Sequence, residues 1–364
     1  MTLHYNCMRK ILLIIALVLS FFSSEGQVLY SISGVVEEAD GVTLPSATIF
    51  LDGSEKKTST NREGEYIIGG LEPGTYVLTV HFVGYKTSKQ NVIIRDKSVT
   101  VNVKMEEMET SLKEVVIKSK AGRNKYLPLF LKSFLGDTEN GKTCFITNPG
   151  IIRFSEERLY ITAKTRDFLE IENRNLGYKI KYLLREFKLN RASMIASFTG
   201  ECIFESLNGS AEEMEEWKEN RRLAYYGSLM HYFRALYSNS VNKEGFFFYF
   251  IKDAKKTTQR IDTHRLNEAS ISKHIDSNFV EIEFPEPLYV VYDAKDDAAS
   301  ETINDEQRIT KALNERKGSM MEMYLKKATI DAKGSIVDYR SFLIRGYWGE
   351  RRIGDQLPFE YLPN

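Results

Sequence analysis

Residues 58–85 read TSTNREGEYIIGGLEPGTYVLTVHFVGY. Apolar and polar side chains alternate in two segments here, and glycine-bearing turns bound both. Asn61, Arg62, Glu63 and Gly64 separate 58–60 from 65–68 as a hairpin loop, with Gly64 available for a positive φ. Glu72-Pro73-Gly74 is a type II turn signal, proline presetting one φ and glycine allowing the positive one. Beyond it Tyr76, Leu78, Val80 and Phe82 alternate with Val77, Thr79 and His81. A period of two marks strands with one face in a core.

The pattern extends both ways. VLYSISGVV at 28–36 and ATIFL at 47–51 read as strands upstream. Downstream, Val99, Val101, Val103 and Met105 alternate with Thr100, Asn102 and Lys104. Short alternating runs separated by turns predict an all-β sandwich over 27–118. Residues 119–125 read as a linker.

Ahead of the sandwich stands an export signal over 1–26. Arg9 and Lys10 form a positive start, 11–22 (ILLIIALVLSFF) is uninterrupted apolar sequence, and 23–27 are small and polar up to a cleavage point after Gly26. That run falls well short of the roughly 20 residues a membrane-spanning helix needs. Met8 is an alternative start, and Cys7 precedes the apolar run, so it is not placed for lipid acylation. The expected location is the periplasm or the outer membrane, with peripheral association and no spanning segment after cleavage.

Lys+Arg and Asp+Glu balance at 50 each, which argues against a basic nucleic-acid surface. After cleavage two cysteines remain, Cys144 and Cys202. In an oxidising compartment they are candidates for one disulfide, with two buried thiols as the alternative.

In the first domain ISGVV, LPSATIFLDG, the quoted 58–85 stretch and SLKEVVI resemble the carboxypeptidase-regulatory-like domain of Bacteroidetes envelope proteins, which also precedes the plug of many TonB-dependent receptors. The resemblance rests on Gly34, Gly64, Tyr66, Gly74, Tyr76, Gly84 and Tyr85. It implies a seven-stranded, transthyretin-like (Ig-like) sandwich. Asn61 stands where that family more often has Asp, and asparagine fills the same turn role. No zinc-peptidase activity comes with the name: no His-x-x-Glu pair occurs, and His264 with Glu268 lacks a recognisable third ligand. No cofactor and no metal are expected.

From 126 the composition changes. YLPLFLKSF at 126–134 reads as a short amphipathic helix, and strands are expected at 151–154, 158–164, 168–172, 178–189 and 194–204. Ser210 with Glu213 is a capping box opening a helix that runs to about 238. GFFFYFI at 245–251 is a strand, 279–284 and 288–292 are strands around Pro285 and Pro287, 293–318 is a charged insertion read as a loop or solvated helix, and 321–330 with 335–344 read as a hairpin. Residues 126–364 are thus expected to form one α+β domain, with a mainly antiparallel sheet and one long helix. CFITNPGIIRFS, IENRNLGYKIKYLLREF, WKENRRLAYYGSLMHYFRAL and GYWGERRIGDQLPFEYLP resemble the C-terminal region of Bacteroidetes proteins that carry the same regulatory-like domain. That resemblance transfers no activity and no catalytic residue.

The densest polar cluster falls on the long helix: Arg221, Tyr225, Ser228, His231 and Arg234, at i+3 and i+4 spacings. These residues could grip an anionic or sugar ligand, with His231 carrying a proton. The structural alternative, in which they tie the helix to strands, is favoured because no acidic partner or nucleophile motif accompanies His231. Tyr347 and Trp348 are read as closing the core, ahead of stacking on a sugar. No catalytic motif stands out.

The leading expectation is a non-catalytic envelope protein whose sandwich docks or binds a protein or glycan partner. The alternative is a polysaccharide-directed hydrolase with an unrecognised carboxylate pair in the second domain. A TonB-dependent receptor is disfavoured, because the residues after the sandwich are too few for a plug and a 22-stranded barrel.

Overall fold

The computed structural model describes residues 28–108, 120–253, 260–294 and 303–363. The export signal and the strand expected at 115–117 lie outside them.

The first domain is a β-sandwich of two four-stranded sheets. β1 (Tyr30–Glu38), β4 (Glu65–Leu71), β7 (Val99–Thr100) and β8 (Val103–Met105) form one. β2 (Thr48–Leu51), β3 (Lys57–Ser59), β5 (Gly74–His81) and β6 (Ser88–Ile94) form the other, in the order β3-β2-β5-β6. β7 and β8 are one strand of the expected pattern, interrupted at Val101 and Asn102. There the Asn102 side chain replaces the ladder, its Oδ1 accepting from the Val35 amide at 3.0 Å. Gly34 stands opposite, where a Cβ would collide with the Val101 carbonyl. The alternating residues Tyr76, Leu78 and Val80 fill the core with Ile32, Val36, Ile49 and Tyr66.

The second region holds two main cores and a smaller buried cluster under the helix at 305–315. The first lies on a six-stranded antiparallel sheet: β9 (Cys144–Ile146), β10 (Arg153–Glu157), β11 (Tyr160–Lys164), β12 (Leu169–Asn173), β13 (Tyr178–Asn190) and β14 (Ala196–Ser206). β13 is long enough to pair with β14 along one edge and with β12 and β11 end to end along the other. Helix α1 (Lys120–Leu135) lies on this sheet. Its Phe130 and Phe134 meet Phe154, Phe187, Tyr182 and Phe198 edge-on. The short helix α2 (Glu139–Lys142) follows.

Helix α3 (Ala211–Tyr225) and helix α4 (Leu229–Tyr237) occupy the span read as one helix. The break has a local cause. Gly227 takes φ +76°, a region other residues avoid, and Ser228 then caps a new helix by accepting from the His231 amide at 3.1 Å. A Cβ on Gly227 would also meet the Tyr292 ring at 2.6 Å.

α4 opens the other core. One sheet there runs β16 (Arg260–Ile261), β15 (Phe246–Lys252), β19 (Leu288–Tyr292), β20 (Gly318–Met323) and β22 (Phe342–Gly346). A smaller one runs β17 (Ser272–His274), β18 (Phe279–Ile282) and β21 (Ala328–Asp331). Tyr232, Phe233 and Leu236 of α4 pack with Phe246, Phe248, Val280 and Ile330 from both. The hairpin expected over 321–344 forms at both its ends, where β20 pairs with β22 and Ile330 bridges Ile336 beside the turn; between them the chain leaves the larger sheet after Met323, and β21 pairs with β18. Helix α5 (Asp305–Glu315), opened by an Asn304–Gln307 capping box, covers the far side of β15 and β19 within the charged insertion. α6 (Tyr347–Glu350) follows β22. The chain then crosses back to the first core, where Ile353 and Leu357 are buried. The class is thus a β-sandwich followed by a mainly antiparallel α+β region. No helix among the described residues is long and apolar enough to cross a membrane.

Cys144 and Cys202 are both free and buried. Their strands are separated by β12 and β13, with a four-residue offset along β13. At about 4.8 Å per strand and 3.3 Å per residue they stand about 20 Å apart, far beyond disulfide reach. The candidate bridge is not formed, and the alternative of two buried thiols holds.

Candidate functional site

Strands β5 and β14 are each buried on both faces where one buried face was expected. On β5, Tyr76, Leu78 and Val80 face the sandwich core, yet the alternate residues Thr75, Thr79 and His81 are also buried. On β14, Glu201 and Ile203 are buried as deeply as Cys202 and Phe204. The cause is docking: the outer face of the β3-β2-β5-β6 sheet lies on the β13–β14 ribbon.

The contact begins at the turn after β2. Gly53 N–H donates to the Cys202 carbonyl at 3.0 Å, and Phe204 N–H donates to the Ser54 carbonyl at 3.0 Å. Ser54 thus pairs in parallel with Ile203 and covers the edge that β14 leaves open. Phe359 N–H donates to the Gly53 carbonyl at 2.9 Å, which adds the C-terminal segment to the same seam. Phe50, fully buried, meets Phe168 edge-on at 5.6 Å, and His81 meets the same ring at 5.1 Å. On the far side, Asp331 of β21 reaches the Thr75 amide at 2.7 Å, and Asn91 donates to the Val337 carbonyl at 3.1 Å.

A cavity of about 750 Å³ remains between the sandwich, the ribbon, α4 and the C-terminal segment. Four charged side chains stand together on its wall: Asp52, Lys89, Arg185 and Glu201. Glu201 is 2% exposed and both its oxygens accept from Arg185 Nε, at 2.8 and 2.7 Å. Lys89 Nζ lies 3.3 Å from the same carboxylate. Asp52 Oδ1 accepts from the Cys202 amide at 2.8 Å. Burial is the main cause that pushes the Asp52 carboxyl from its ordinary 3.8 up to about 6; the Cys202 amide and Lys89 oppose it, and Glu201 adds to it. Burial also lowers the His81 pKa against the pull of Asp167.

The cluster singled out on the helix is brought together but faces inward. Arg221 donates to the Leu176 and Gly177 carbonyls at 2.6 and 3.0 Å and lies 3.9 Å over the Tyr178 ring. Tyr225 packs on Tyr226, His231 and Tyr361. Ser228 is the cap of α4. His231 is buried, accepts at Nδ1 from the Gly227 amide at 3.1 Å and holds Glu244 at 3.2 Å through Nε2. Burial lowers its pKa, against the Glu244 carboxylate. Arg234 donates to the Lys333, Tyr361 and Phe359 carbonyls at 3.0, 2.8 and 2.9 Å. Only Ser228 of this cluster lines the cavity. Trp348 is buried and donates to the Gly227 carbonyl at 2.8 Å, so it pins the helix break. His264 is exposed and bound to Asp262, and no three His, Cys, Asp or Glu among the described residues gather to hold a metal.

The four wall residues were not singled out from sequence, because each reads as an outward residue at a strand or turn. Docking buries Glu201 and gathers the other three around it, with Lys89 and Arg185 still partly exposed. A pH dependence follows. A carboxyl whose folded pKa is raised stabilises the fold below its unfolded value, and that contribution is lost as pH rises toward 6. Asp52→Asn is expected to remove a fall of about 1–3 kcal/mol in unfolding free energy between pH 4 and 7. Urea unfolding of both chains at the two pH values measures it; an unchanged fall in the variant would assign the dependence to another group.

The profile of the CarboxypepD_reg-like domain family matches residues 32–117. No curated protein matches the sequence. Among solved structures the chain is similar to a type II cohesin–X-dockerin complex from Acetivibrio cellulolyticus, at 23% identity over 21% of this chain and 58% of that one, TM-score 0.19. It is similar to the minor pilin GBS52 of Streptococcus agalactiae at 21% identity, over 24% of this chain and 48% of that one, TM-score 0.19. A catechol 1,2-dioxygenase from Acinetobacter radioresistens is 10% identical over 27% of this chain and 58% of that one, TM-score 0.21. The chain therefore spans less than two thirds of each.

Proposed function

We propose that, with a carboxypeptidase-regulatory-like domain at 32–117, this chain is an exported, non-catalytic binding protein of the cell envelope. Its sandwich docks on the α+β region of the same chain, and the cavity formed between them holds the ligand. The observation that carries this reading is the buried outer face of β5 beside a cavity of about 750 Å³. That volume lies within the range of small-molecule sites, about 300–1,000 Å³. The leader sequence supports export, to the periplasm or the outer-membrane face.

A hydrolase reading draws on Asp52 beside Glu201, two carboxyls in different environments on one wall. Their partners weigh against it. Asp52 is taken up by the Cys202 amide and Glu201 by Arg185 and Lys89, so neither is poised on a water or a glycosidic oxygen.

Native mass spectrometry of the mature chain, purified from the envelope without detergent, tests the proposal. A non-covalent small-molecule adduct released on denaturation is expected. A bare chain with one stoichiometric crosslinked protein would replace it with docking to another protein.

A further inference from the structure

Two turns meet at one end of the six-stranded sheet. Arg158 and Leu159 join β10 to β11, and residues 190–195 join β13 to β14. Arg191 N–H donates to the Leu159 carbonyl at 2.9 Å, and Asn190 N–H donates to the Ile195 carbonyl at 3.0 Å, so the backbone ties the two tips together. The seam with the sandwich lies further along the ribbon, at Cys202. From Ile195 to Cys202 an extended strand covers about 23 Å. The tips are apolar: Leu159, Met194 and Ile195 are 52%, 55% and 70% exposed. Such turns ordinarily carry glycine, asparagine or aspartate. Here Arg158 and Met194 take φ +48° and +56°, where a side chain is strained and glycine is not.

The charge around the tips is positive on balance. Lys125, Arg158, Lys188 and Arg191 stand there against Glu156 and Glu157. Glu156 accepts from both Arg191 and the Tyr126 hydroxyl, and Lys125 Nζ lies 3.2 Å from that hydroxyl. Lys188 Nζ lies 4.4 Å from the centre of the Tyr160 ring. Three side chains on two convex turns cover far less than the roughly 800 Å² that each partner gives a stable protein–protein interface. A bilayer asks for no complementary surface. It takes apolar side chains into the boundary between headgroups and acyl chains, and basic ones among anionic headgroups.

We propose that the paired tips seat the protein on an anionic phospholipid surface, with Leu159, Met194 and Ile195 inserted and the basic side chains among the headgroups. The cavity plays no part in this. The test is flotation of the full mature chain with vesicles of phosphatidylcholine mixed with phosphatidylglycerol, and with vesicles of phosphatidylcholine alone. Binding to the mixture is expected, at least tenfold stronger than to phosphatidylcholine. The triple variant Leu159→Ser, Met194→Ser, Ile195→Ser is expected to weaken it at least tenfold, and Arg158→Gln about fivefold. All four positions are exposed, so the variants should keep the far-ultraviolet circular dichroism of the parent chain. Ile195→Trp adds a reporter, because Trp217 and Trp348 are both buried. Brominated lipid in the mixture is expected to quench its emission beyond that of the parent chain. Equal binding to the two kinds of vesicle would overturn the anionic preference. Unchanged binding by the triple variant, or no added quenching in Ile195→Trp, would overturn the placing of the contact at the tips. No vesicle binding, with a dimer that the triple variant loses, would give the tips to a second copy of the chain; no vesicle binding and no dimer would remove the surface altogether.

Discussion

Asp331→Ala is expected to lower the unfolding free energy by about 3–4 kcal/mol and to free the sandwich from the α+β region. Asp331 is fully buried at the end of β21. Its Oδ1 accepts from the Lys333 and Ser335 amides at 2.9 and 3.1 Å, shaping the turn. Its Oδ2 accepts from Lys333 Nζ at 2.7 Å and, across the junction, from the Thr75 amide at 2.7 Å. Truncation leaves three amides and an ammonium without their acceptor. Loss of a net hydrogen bond costs about 1 kcal/mol, and an uncompensated buried group costs more. Gly74, beside Thr75, allows the approach, since a Cβ there would collide with the Asp331 carboxylate and with Lys333. Urea unfolding gives the loss, and limited proteolysis shows where it falls. Accelerated cleavage between sandwich and α+β region, ahead of cleavage within either, is the expected pattern. An equal loss of stability with no such ordering would make Asp331 a turn residue only. Asp331→Asn should recover part of the loss, because its single oxygen can serve the turn but its amide nitrogen cannot accept from Thr75.

The sandwich was legible because its signals are local. Tyr76, Leu78 and Val80 alternate within one strand, and Gly64 and Gly74 both take positive φ at the ends of their strands. The long β13–β14 ribbon was legible for the same reason. The helix over 211–238 was misread because apolar spacing runs on across the break. Tyr225, Leu229 and Tyr232 keep a helical period whether or not the chain turns between them. The break depends on Ser228 finding an amide to cap, and on Trp348 and Tyr292, remote in sequence, packing against Gly227. The cavity was not legible at all. Lys89 and Glu201 occupy positions that a lone sheet would leave in solvent, where a charge is the ordinary choice. Nothing in β14 says that the sandwich will cover Glu201.

Arg234 is the second position where a large effect is expected. Its guanidinium is shared among three carbonyls from two distant segments, Lys333 on the turn after β21 and Phe359 and Tyr361 near the C-terminus. The same group lies 5.3 Å from the centre of the Tyr225 ring. α4 is thereby fixed to the turn that carries Asp331 and to the segment that closes the cavity beside Gly53. Arg234→Met keeps much of the aliphatic stem and removes the fork, so the expected loss of about 2–4 kcal/mol is that of three charge-assisted bonds. Arg234→Lys should rescue little of it, since an ammonium is a point charge and cannot hold the planar fork. Hydrogen exchange separates this from a general loosening. The Phe359 amide, bonded to the Gly53 carbonyl, should lose protection in Arg234→Met by a larger factor than amides of β13, to which Arg234 donates no hydrogen bond. Uniform loss across both would mean that Arg234 stabilises the whole fold without specifically holding the C-terminal wall. Selective loss would tie the wall of the cavity to one side chain, and the same variant should then weaken retention of any ligand that cavity holds.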